Sequence, residues 1–222
     1  MSFYDKLASE TASERERFLA IPLIRRAIAE GASRETYLAF LAEAYHHVSH
    51  TFPLLALAAS RTSDERYQDG LFEYMKEERG HEQWILDDIV VFGGDRQAVQ
   101  RSLPSPATAA MVGYSYYAIE HMSPYALLGS VHVLEGMSVL LADRLADRLT
   151  ANWGQSDAKG FSYLRSHGSL DQDHVAFFRT LINGFDDPAT QRLIIESSRT
   201  FHYLYGNIFR EIGNRQDYAH AA

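Results

Sequence analysis

Apolar residues recur at helical spacing along nearly the whole chain, and this periodicity limits the possible folds more than any other feature. The segment RETYLAFLAEAYHHVSHTFPLLALAAS, residues 34–60, is a long example. Side chains three or four positions apart share a face of an α-helix, whereas a half-buried strand needs strict alternation. Alternating segments bounded by turn residues are scarce here. The sequence therefore predicts an all-α protein, a bundle of about seven helices.

Proline, glycine and capping residues divide this pattern into helices. Pro22 suits the first turn of a helix after a short N-terminal one, Gly31 ends it, and Ser33 is a good N-cap for the next. Pro53 should kink the helix over residues 34–60. The remaining helices are expected from Ser63-Asp64 to about Val91, from about Pro106 to a point before Pro124, from Pro124 to about Thr150, from about Ala158 to Ile182, and from Pro188 past Phe209.

Composition excludes several classes of protein. The 222 residues contain no linker-like stretch, which predicts a single domain over 1–222, and a net charge of −8 without any basic block argues against a nucleic-acid partner. The polar N-terminus does not resemble a signal peptide, and no apolar run approaches the roughly 18 residues that span a membrane. We therefore expect a cytoplasmic protein without membrane contact. Without cysteine there is no disulfide, thiolate ligand or cysteine nucleophile.

The tract His167-Gly-Ser-Leu-Asp171-Gln-Asp-His174 is the most distinctive motif. On a helix, spacings of four and seven bring His167, Asp171 and His174 onto one stripe. Two imidazoles and a carboxylate on one stripe are half of a metal site.

The other half is expected upstream. Glu78 and His81 stand three positions apart in EERGHEQW, so a continuous helix would place them on one face. Glu135 lies within the apolar run ALLGSVHVLEGMSVLLA, where a carboxylate has little reason to be. Together with the downstream tract these residues form a six-ligand set.

Each upstream candidate also has a structural explanation. Glu78 and His81 can belong to a solvated helix face, because charged residues flank them on both sides. Glu135 can be satisfied by an internal salt bridge, or by hydrogen bonding to His132, three positions before it on the same face.

A second cluster on the helix over 34–60 is a rival site. Glu43, His47 and His50 fall at i, i+4 and i+7. Glu43 or His47 could face the same cavity as a supplementary ligand or proton donor, and His132 is a further possible pocket residue or supplementary ligand. For His46 and His50 we favour structural histidines that hydrogen-bond to the backbone.

The predicted ligand types favour iron or manganese. Three carboxylates and three imidazoles facing one interior would carry a desolvation cost of several kcal/mol per unpaired ion unless cations neutralised them. Mixed nitrogen and oxygen ligands without thiolate suit iron and manganese better than structural zinc. Six protein ligands exceed what one catalytic zinc takes, so the pattern indicates two ions, either Fe/Fe or Mn/Fe.

These motifs, in this order, resemble the haem-oxygenase-like diiron oxidase and oxygenase family. The likeness extends to AEAYHHVSHTFPLLALAASR, GHEQWILDDIVVFGGD and MSPYALLGSVHVLEGMS, and it covers most of the chain. It implies the seven-helix bundle that this family shares with haem oxygenase and with the TenA-, PqqC- and CADD-like proteins, and it implies a homodimer.

The resemblance also implies a ligand set for two irons per chain: His81 and His167 at one iron, Asp171 and His174 with Glu135 at the other, and Glu78 bridging or capping the first. Some relatives carry the corresponding glutamate two helical turns before the histidine, where this chain has Tyr74.

The implied reaction uses two Fe(II) ions to activate O2, which then attacks a small organic substrate such as a fatty acid, an amino acid or a related amine or carboxylate. The sequence selects neither the substrate nor a redox-active tyrosine.

The same superfamily supplies alternatives. Thiaminase II, the TenA activity, needs a cysteine nucleophile that this chain lacks, and haem oxygenase needs a histidine in its first helix, whereas the first histidine here is His46. Pyrroloquinoline quinone synthase, the PqqC activity, binds no metal and would leave the six candidates without a purpose. A helical metal-binding or interaction module without oxygenase activity also stays open. A ferritin-like iron protein would carry two Glu-x-x-His motifs, and we find one convincing example.

Overall fold

The computed structural model describes the backbone of residues 1–154 and 160–221, with all their side chains except those of 167–173 and 216–221. The described residues form a helical bundle without a strand, as predicted. Its α-helices are α1 Phe3–Glu10, α2 Ala12–Leu19, α3 Pro22–Glu30, α4 Arg34–Val48, α5 Thr51–Ser60, α6 Glu65–Glu78, α7 His81–Val91, α8 Arg96–Arg101, α9 Pro106–Tyr117, α10 Leu127–Trp153, α11 Ser162–Ile182 and α12 Pro188–Ala221. A π-helical turn, Ala118–Met122, and a 3₁₀ turn, Pro124–Ala126, join α9 to α10.

Several predicted helix boundaries are confirmed by their caps. Pro22 is the first residue of α3, and Gly31 ends that helix with a φ of +90°. The Ser33 hydroxyl accepts a hydrogen bond from the Thr36 amide and caps α4. The predicted start of the sixth helix near Ala158 lies outside the described residues.

Two helices predicted as continuous are each divided in two. The segment 34–60 breaks between Val48 and Thr51, and Pro53 lies in the first turn of α5, where its missing N–H leaves no hydrogen bond unmade. The segment predicted from Asp64 to Val91 breaks at Gly80, so α6 ends before it and α7 begins after it. The prediction that Glu78 and His81 share one helix was therefore wrong.

The longest described apolar helix forms the centre of the bundle. Helix α10 packs against both α11 and α12. Together with the preceding 3₁₀ turn it is the one described helix that is long and apolar enough to cross a membrane, by length and composition alone. Half of its most apolar stretch is buried inside the bundle, as expected for the core helix of a folded domain.

A buried carboxylate joins α7 to α11. Asp88 accepts hydrogen bonds from the backbone amides of Ser162 and Tyr163, at 3.0 and 2.9 Å. Burial raises the pKa of Asp88, while these hydrogen bonds act in the opposite direction. The contact fixes the N-terminus of α11, which leads into the His167 tract, to the helix that begins with His81.

Helices α10 and α12 are in close contact at Gly129. A Cβ atom at this position would lie 2.6 Å from the backbone nitrogen of Ser198 and 2.9 Å from the carbonyl oxygen of Ile194. Both are backbone atoms, which cannot move without shifting α12 as a whole. Glycine is therefore required here by contact between two helices.

The first prediction follows from this contact. Gly129→Ala should lower the free energy of unfolding by about 1–3 kcal/mol, because the added methyl group overpacks the interface. Gly113→Ala is the matched control: Gly113 lies on α9, and a methyl group added there would have nothing within 4 Å, so alanine should stabilise by about 0.5–1 kcal/mol. Urea unfolding followed by circular dichroism measures both, and equal effects would contradict the proposed contact.

His132 does not pair with Glu135, so that alternative was wrong. Its ring stacks on Phe178 at 6.0 Å and meets Tyr4 edge-on at 6.2 Å. Its Nε2 lies 3.4 Å from the Thr11 hydroxyl. The pKa of His132 is lowered to about 3, mainly by burial and to a smaller extent by neighbouring positive charge.

A pH dependence of stability follows. In the unfolded chain the histidine has its ordinary pKa of 6.5 and becomes protonated below that pH, whereas in the folded chain it stays neutral down to about pH 3. The free energy of unfolding should therefore fall as the pH drops from 6.5 towards 3. Between pH 7 and 5 this residue should account for up to about 2 kcal/mol. Urea unfolding at the two pH values measures the loss, which should be smaller in His132→Phe. The same loss in both proteins would exclude His132 as its source.

Candidate metal centre

Three of the predicted ligands meet where α6 ends and α7 begins. One carboxylate oxygen of Glu78 lies 3.2 Å from Nδ1 of His81, and the other lies 3.8 Å from Nδ1 of His174. These side chains are 12%, 5% and 5% exposed, respectively. The structure thus brings together one side chain from each of α6, α7 and α11.

The helix break at Gly80 positions the first two of these groups. Gly80 has a φ of +94°, in the left-handed region, and a Cβ there would meet nothing within 4 Å. Backbone conformation, and not lack of space, therefore selects glycine. The break places Glu78 at the C-terminal end of α6, where the negative end of the helix dipole favours a bound cation.

Glu135 approaches this group from α10. It is 9% exposed and lines the same cavity as Glu78 and Tyr74. Burial raises the pKa of the Tyr74 hydroxyl strongly, and Glu135 is the next largest cause. The Tyr74 ring also meets His174 edge-on, with ring centres 5.9 Å apart. Tyr74, noted in the sequence only as a departure from some relatives, is therefore a residue of this site.

Sequence reasoning missed two further neighbours of the histidines. Nε2 of His174 lies 2.6 Å from a carboxylate oxygen of Glu77, and the His81 ring stacks on Trp84 with centres 4.1 Å apart. A carboxylate against one ring nitrogen fixes the orientation and tautomer of a ligating histidine. Glu77 is 56% exposed, consistent with a solvated face, and only the packing of α11 shows that its tip reaches His174.

The two remaining predicted ligands, His167 and Asp171, lie within α11, but their side chains are outside the described residues. The helix is continuous from Ser162 to Ile182, so residues 167, 171 and 174 fall on one stripe of it. Among the side chains that the structure describes, no three or more His, Asp or Glu residues are arranged as a ready metal-binding group. What is described is a set of pairwise contacts centred on Glu78.

The chemistry of these side chains fits iron. Imidazole nitrogen and carboxylate oxygen are donors that iron accepts, and sulfur ligands are absent from a chain without cysteine. The carboxylates of Glu78 and Glu135 are withdrawn from water, where a bound cation would offset the cost of their burial.

The rival cluster on α4 divides into different roles. The Glu43 carboxylate accepts hydrogen bonds from the Ser105 amide, at 3.1 Å, and from the Thr108 hydroxyl, at 2.6 Å, and so holds the start of α9. Glu43 is not among the described residues that line the cavity, and its suggested role as a supplementary ligand stays a prediction. His47 does line the cavity, where its ring meets Tyr205 edge-on at 5.9 Å.

The other two histidines of the cluster are structural, but they bond to side chains and not to the backbone. His46 Nε2 lies 2.9 Å from the Ser102 hydroxyl. His50 Nδ1 lies 2.9 Å from the Tyr116 hydroxyl.

A cavity of about 180 Å³ adjoins the candidate centre. Its polar lining residues include Glu78, Glu135, His47 and Tyr74, together with several hydroxyl-bearing side chains. The rest of its wall is mostly aliphatic and aromatic, with α10 contributing residues as far as Leu149. A buried polar group opening onto an apolar chamber is the usual form of a small-molecule site.

Solved structures share this fold. A domain of unknown function with a haem oxygenase-like fold from Shewanella denitrificans is 21% identical, with a TM-score of 0.88, covering 96% of this chain and 93% of that one. Haem oxygenase-1 from the cyanobacterium Synechocystis, solved with haem, is 13% identical, with a TM-score of 0.77 and 100% and 96% coverage. A TenA homologue from Pseudomonas syringae is 11% identical, with a TM-score of 0.79 and 96% and 93% coverage. These identities establish the fold alone.

A search of curated proteins gave no match. A family model described as "Iron-containing redox enzyme" matches residues 38–206, which include every predicted ligand. Since this match spans most of the chain, and the bundle and its buried imidazole and carboxylate groups agree with it, the protein belongs to the haem-oxygenase-like family of iron-containing redox enzymes.

Proposed function

We propose that this protein is a non-haem diiron oxidase or oxygenase that activates O2 and acts on a small organic substrate bound in the cavity. Fatty acids, amino acids and related amines or carboxylates are the expected substrate classes. The observation that carries the proposal is the buried contact of Glu78 with both His81 and His174 beside that cavity. Membership of an iron-containing redox family supports the choice of metal.

The residues that would hold the metal come from four helices. Glu78, His81, Glu135 and His174 are the described candidates, and His167 and Asp171 complete the proposed set. The chemistry that iron supplies when bound is the reduction and activation of O2. The ligand types suit Fe/Fe and Mn/Fe equally.

The remaining residues of the site orient the ligands and exclude water. Glu77 holds the outer nitrogen of His174, and Trp84 fixes the plane of the His81 ring. The buried Tyr74 hydroxyl, with its raised pKa, stays protonated and available as a hydrogen-bond donor towards the Glu135 carboxylate. The apolar walls keep bulk water from the reacting groups.

A second candidate is a non-redox enzyme like TenA or PqqC, or a metal-binding module without oxygenase activity. The TenA homologue matches the fold about as well as the haem oxygenase does, so overall shape does not decide between them. The discriminating properties are iron content and O2 consumption. Neither a metal-free enzyme nor a closed structural site would consume O2 after loading with Fe(II).

Reconstitution with iron tests the proposal. The metal-free protein, loaded anaerobically with Fe(II) and desalted, should bind about two irons per chain, the number two neighbouring sites require. Exposure to O2 should then produce a transient visible absorbance. His174→Ala should reduce bound iron to one per chain or fewer and abolish this absorbance, with the helical circular dichroism spectrum retained.

His46→Ala is the matched control, because that histidine bonds to Ser102 away from the site. It should bind as much iron as the wild type. If the wild type binds no iron, or if both variants lose it equally, the diiron proposal is wrong.

Tyr74→Phe tests the role of the buried hydroxyl. Removing the O–H group should weaken Fe(II) binding by about 10-fold or more, because a neighbour that orients a ligating carboxylate contributes to metal affinity. Anaerobic competition with a coloured chelator measures the affinity. Tyr116→Phe is the control, since its hydroxyl bonds to His50 and lies outside the candidate centre. Equal affinities in all three proteins would show that Tyr74 only fills space.

A further inference from the structure

The stacked rings of His81 and Trp84 connect the candidate metal centre to the surface of the protein. Their centres lie 4.1 Å apart and their planes are 24° from parallel, so the two π-systems are in van der Waals contact. The His81 side chain is 5% exposed, whereas Trp84 is half-buried. Asp87, three residues further along the same face of α7, is 61% exposed. The indole therefore lies between a buried candidate ligand and solvent.

Tyr74 is also an oxidisable side chain at the site, but it is placed differently. Its ring meets His174 edge-on, with centres 5.9 Å apart, and is 3% exposed. A solute in the solvent therefore cannot reach it. A phenol must also release its proton when it loses an electron at neutral pH, whereas an indole can lose an electron and keep its proton. Trp84 combines face-on contact with a candidate ligand and access from solvent.

The reduction of O2 to two water molecules takes four electrons, and this requirement gives such an indole a role. The inference rests on the proposed function, in which oxidation of two Fe(II) ions to Fe(III) accounts for two electrons and oxidation of the substrate for the other two. If O2 reacts before the substrate has bound, the site is two electrons short. Neighbouring side chains would then be oxidised, and loss of a ligand would destroy the site.

We propose that Trp84 is a one-electron relay, through which a small-molecule reductant such as ascorbate delivers electrons to the metal centre when no substrate is bound. The indole gives up one electron through the His81 ring and becomes a radical cation. The reductant returns one electron to the indole and releases one proton to solvent. Two such cycles complete the four electrons, and solvent supplies the protons that form water. Without a reductant, the indole radical cation loses its N–H proton to solvent, combines with O2 and stays oxygenated.

The two tryptophans of the chain provide an internal comparison. Trp153 is half-buried like Trp84, and its ring packs against Tyr37. It lies on α10 eighteen residues beyond Glu135, which corresponds to about 27 Å along the helix. Hydroxyl radicals released into solution would attack both tryptophans to a similar extent. A relay would lead to oxygenation of Trp84 alone.

Peptide mass spectrometry tests the relay. Protein is loaded anaerobically with Fe(II), desalted, exposed to O2 without substrate or reductant, and digested. Oxygenation at Trp84 should exceed that at Trp153 at least tenfold, and ascorbate present during the exposure should lower it at least tenfold. Zn(II)-loaded protein should stay unmodified at both residues, because zinc has no redox chemistry. Equal oxygenation of the two tryptophans, or none at Trp84 in the iron-loaded protein, would overturn the proposal.

Trp84→Phe separates the relay from the packing of His81. Phenylalanine keeps a ring against the imidazole but resists oxidation, so this variant should bind as much iron as the wild type. It should form ascorbyl radical at least tenfold more slowly during substrate-free exposure to O2, as measured by electron paramagnetic resonance. Trp153→Phe is the matched control and should form the radical at the wild-type rate. An unchanged rate in an iron-loaded Trp84→Phe protein would contradict the relay.

The relay and the diiron function fail in different ways. If the wild type binds no iron, both are wrong. If it binds iron and consumes O2 while Trp84 stays unmodified, the diiron function stands and the relay is wrong. If Trp84→Phe does not fold or does not bind iron, the comparison of Trp84 with Trp153 in the wild type still decides the question.

Discussion

Burying carboxylates and imidazoles together inside an apolar bundle is the constraint on which the rest of this structure depends. Each such group loses several kcal/mol of hydration unless partners replace the water. Glu78, His81 and His174 are nearly enclosed, and each contacts at least one of the others. Three separate helices must converge for these contacts to form. Two contacts away from the cavity support this convergence and so help to determine the geometry of the cavity. They are the hydrogen bond from the start of α11 to Asp88 and the close approach of α10 to α12 at Gly129.

Much of the fold could be predicted because helical periodicity and caps are local properties of a sequence. The ends of α3 and the start of α4 followed from Pro22, Gly31 and Ser33 alone. The break at Gly80 could not be predicted in the same way, since one glycine within a charged stretch is tolerated by a continuous helix. The tertiary packing decides there between a bent helix and two separate ones.

The candidate site was predictable to the extent that its residues were unusual where they stood. Glu135 was noticeable as a carboxylate within an apolar run, and His174 belonged to a rare spacing. Glu77 and Tyr74 were ordinary in their own helix, and their importance arises only where α11 and α10 pass across α6. For His132 the error was the opposite one. Its spacing from Glu135 on one helix predicted a pair, but its side chain packs against α1 and α11.

The divided helix at Gly80 also changes what sets the distance between two candidate ligands. In a continuous helix, the separation of two residues three positions apart is fixed by the geometry of the helix itself. Here it is set by the backbone angles of Arg79 and Gly80, which belong to neither helix. Gly80 has a left-handed φ that other residues adopt only at a cost, so substitution there would alter the spacing of Glu78 and His81 while the side chains that pack α6 and α7 stay the same. The distance between these two candidate ligands therefore depends on one backbone position, and not on the many side chains that stabilise each helix.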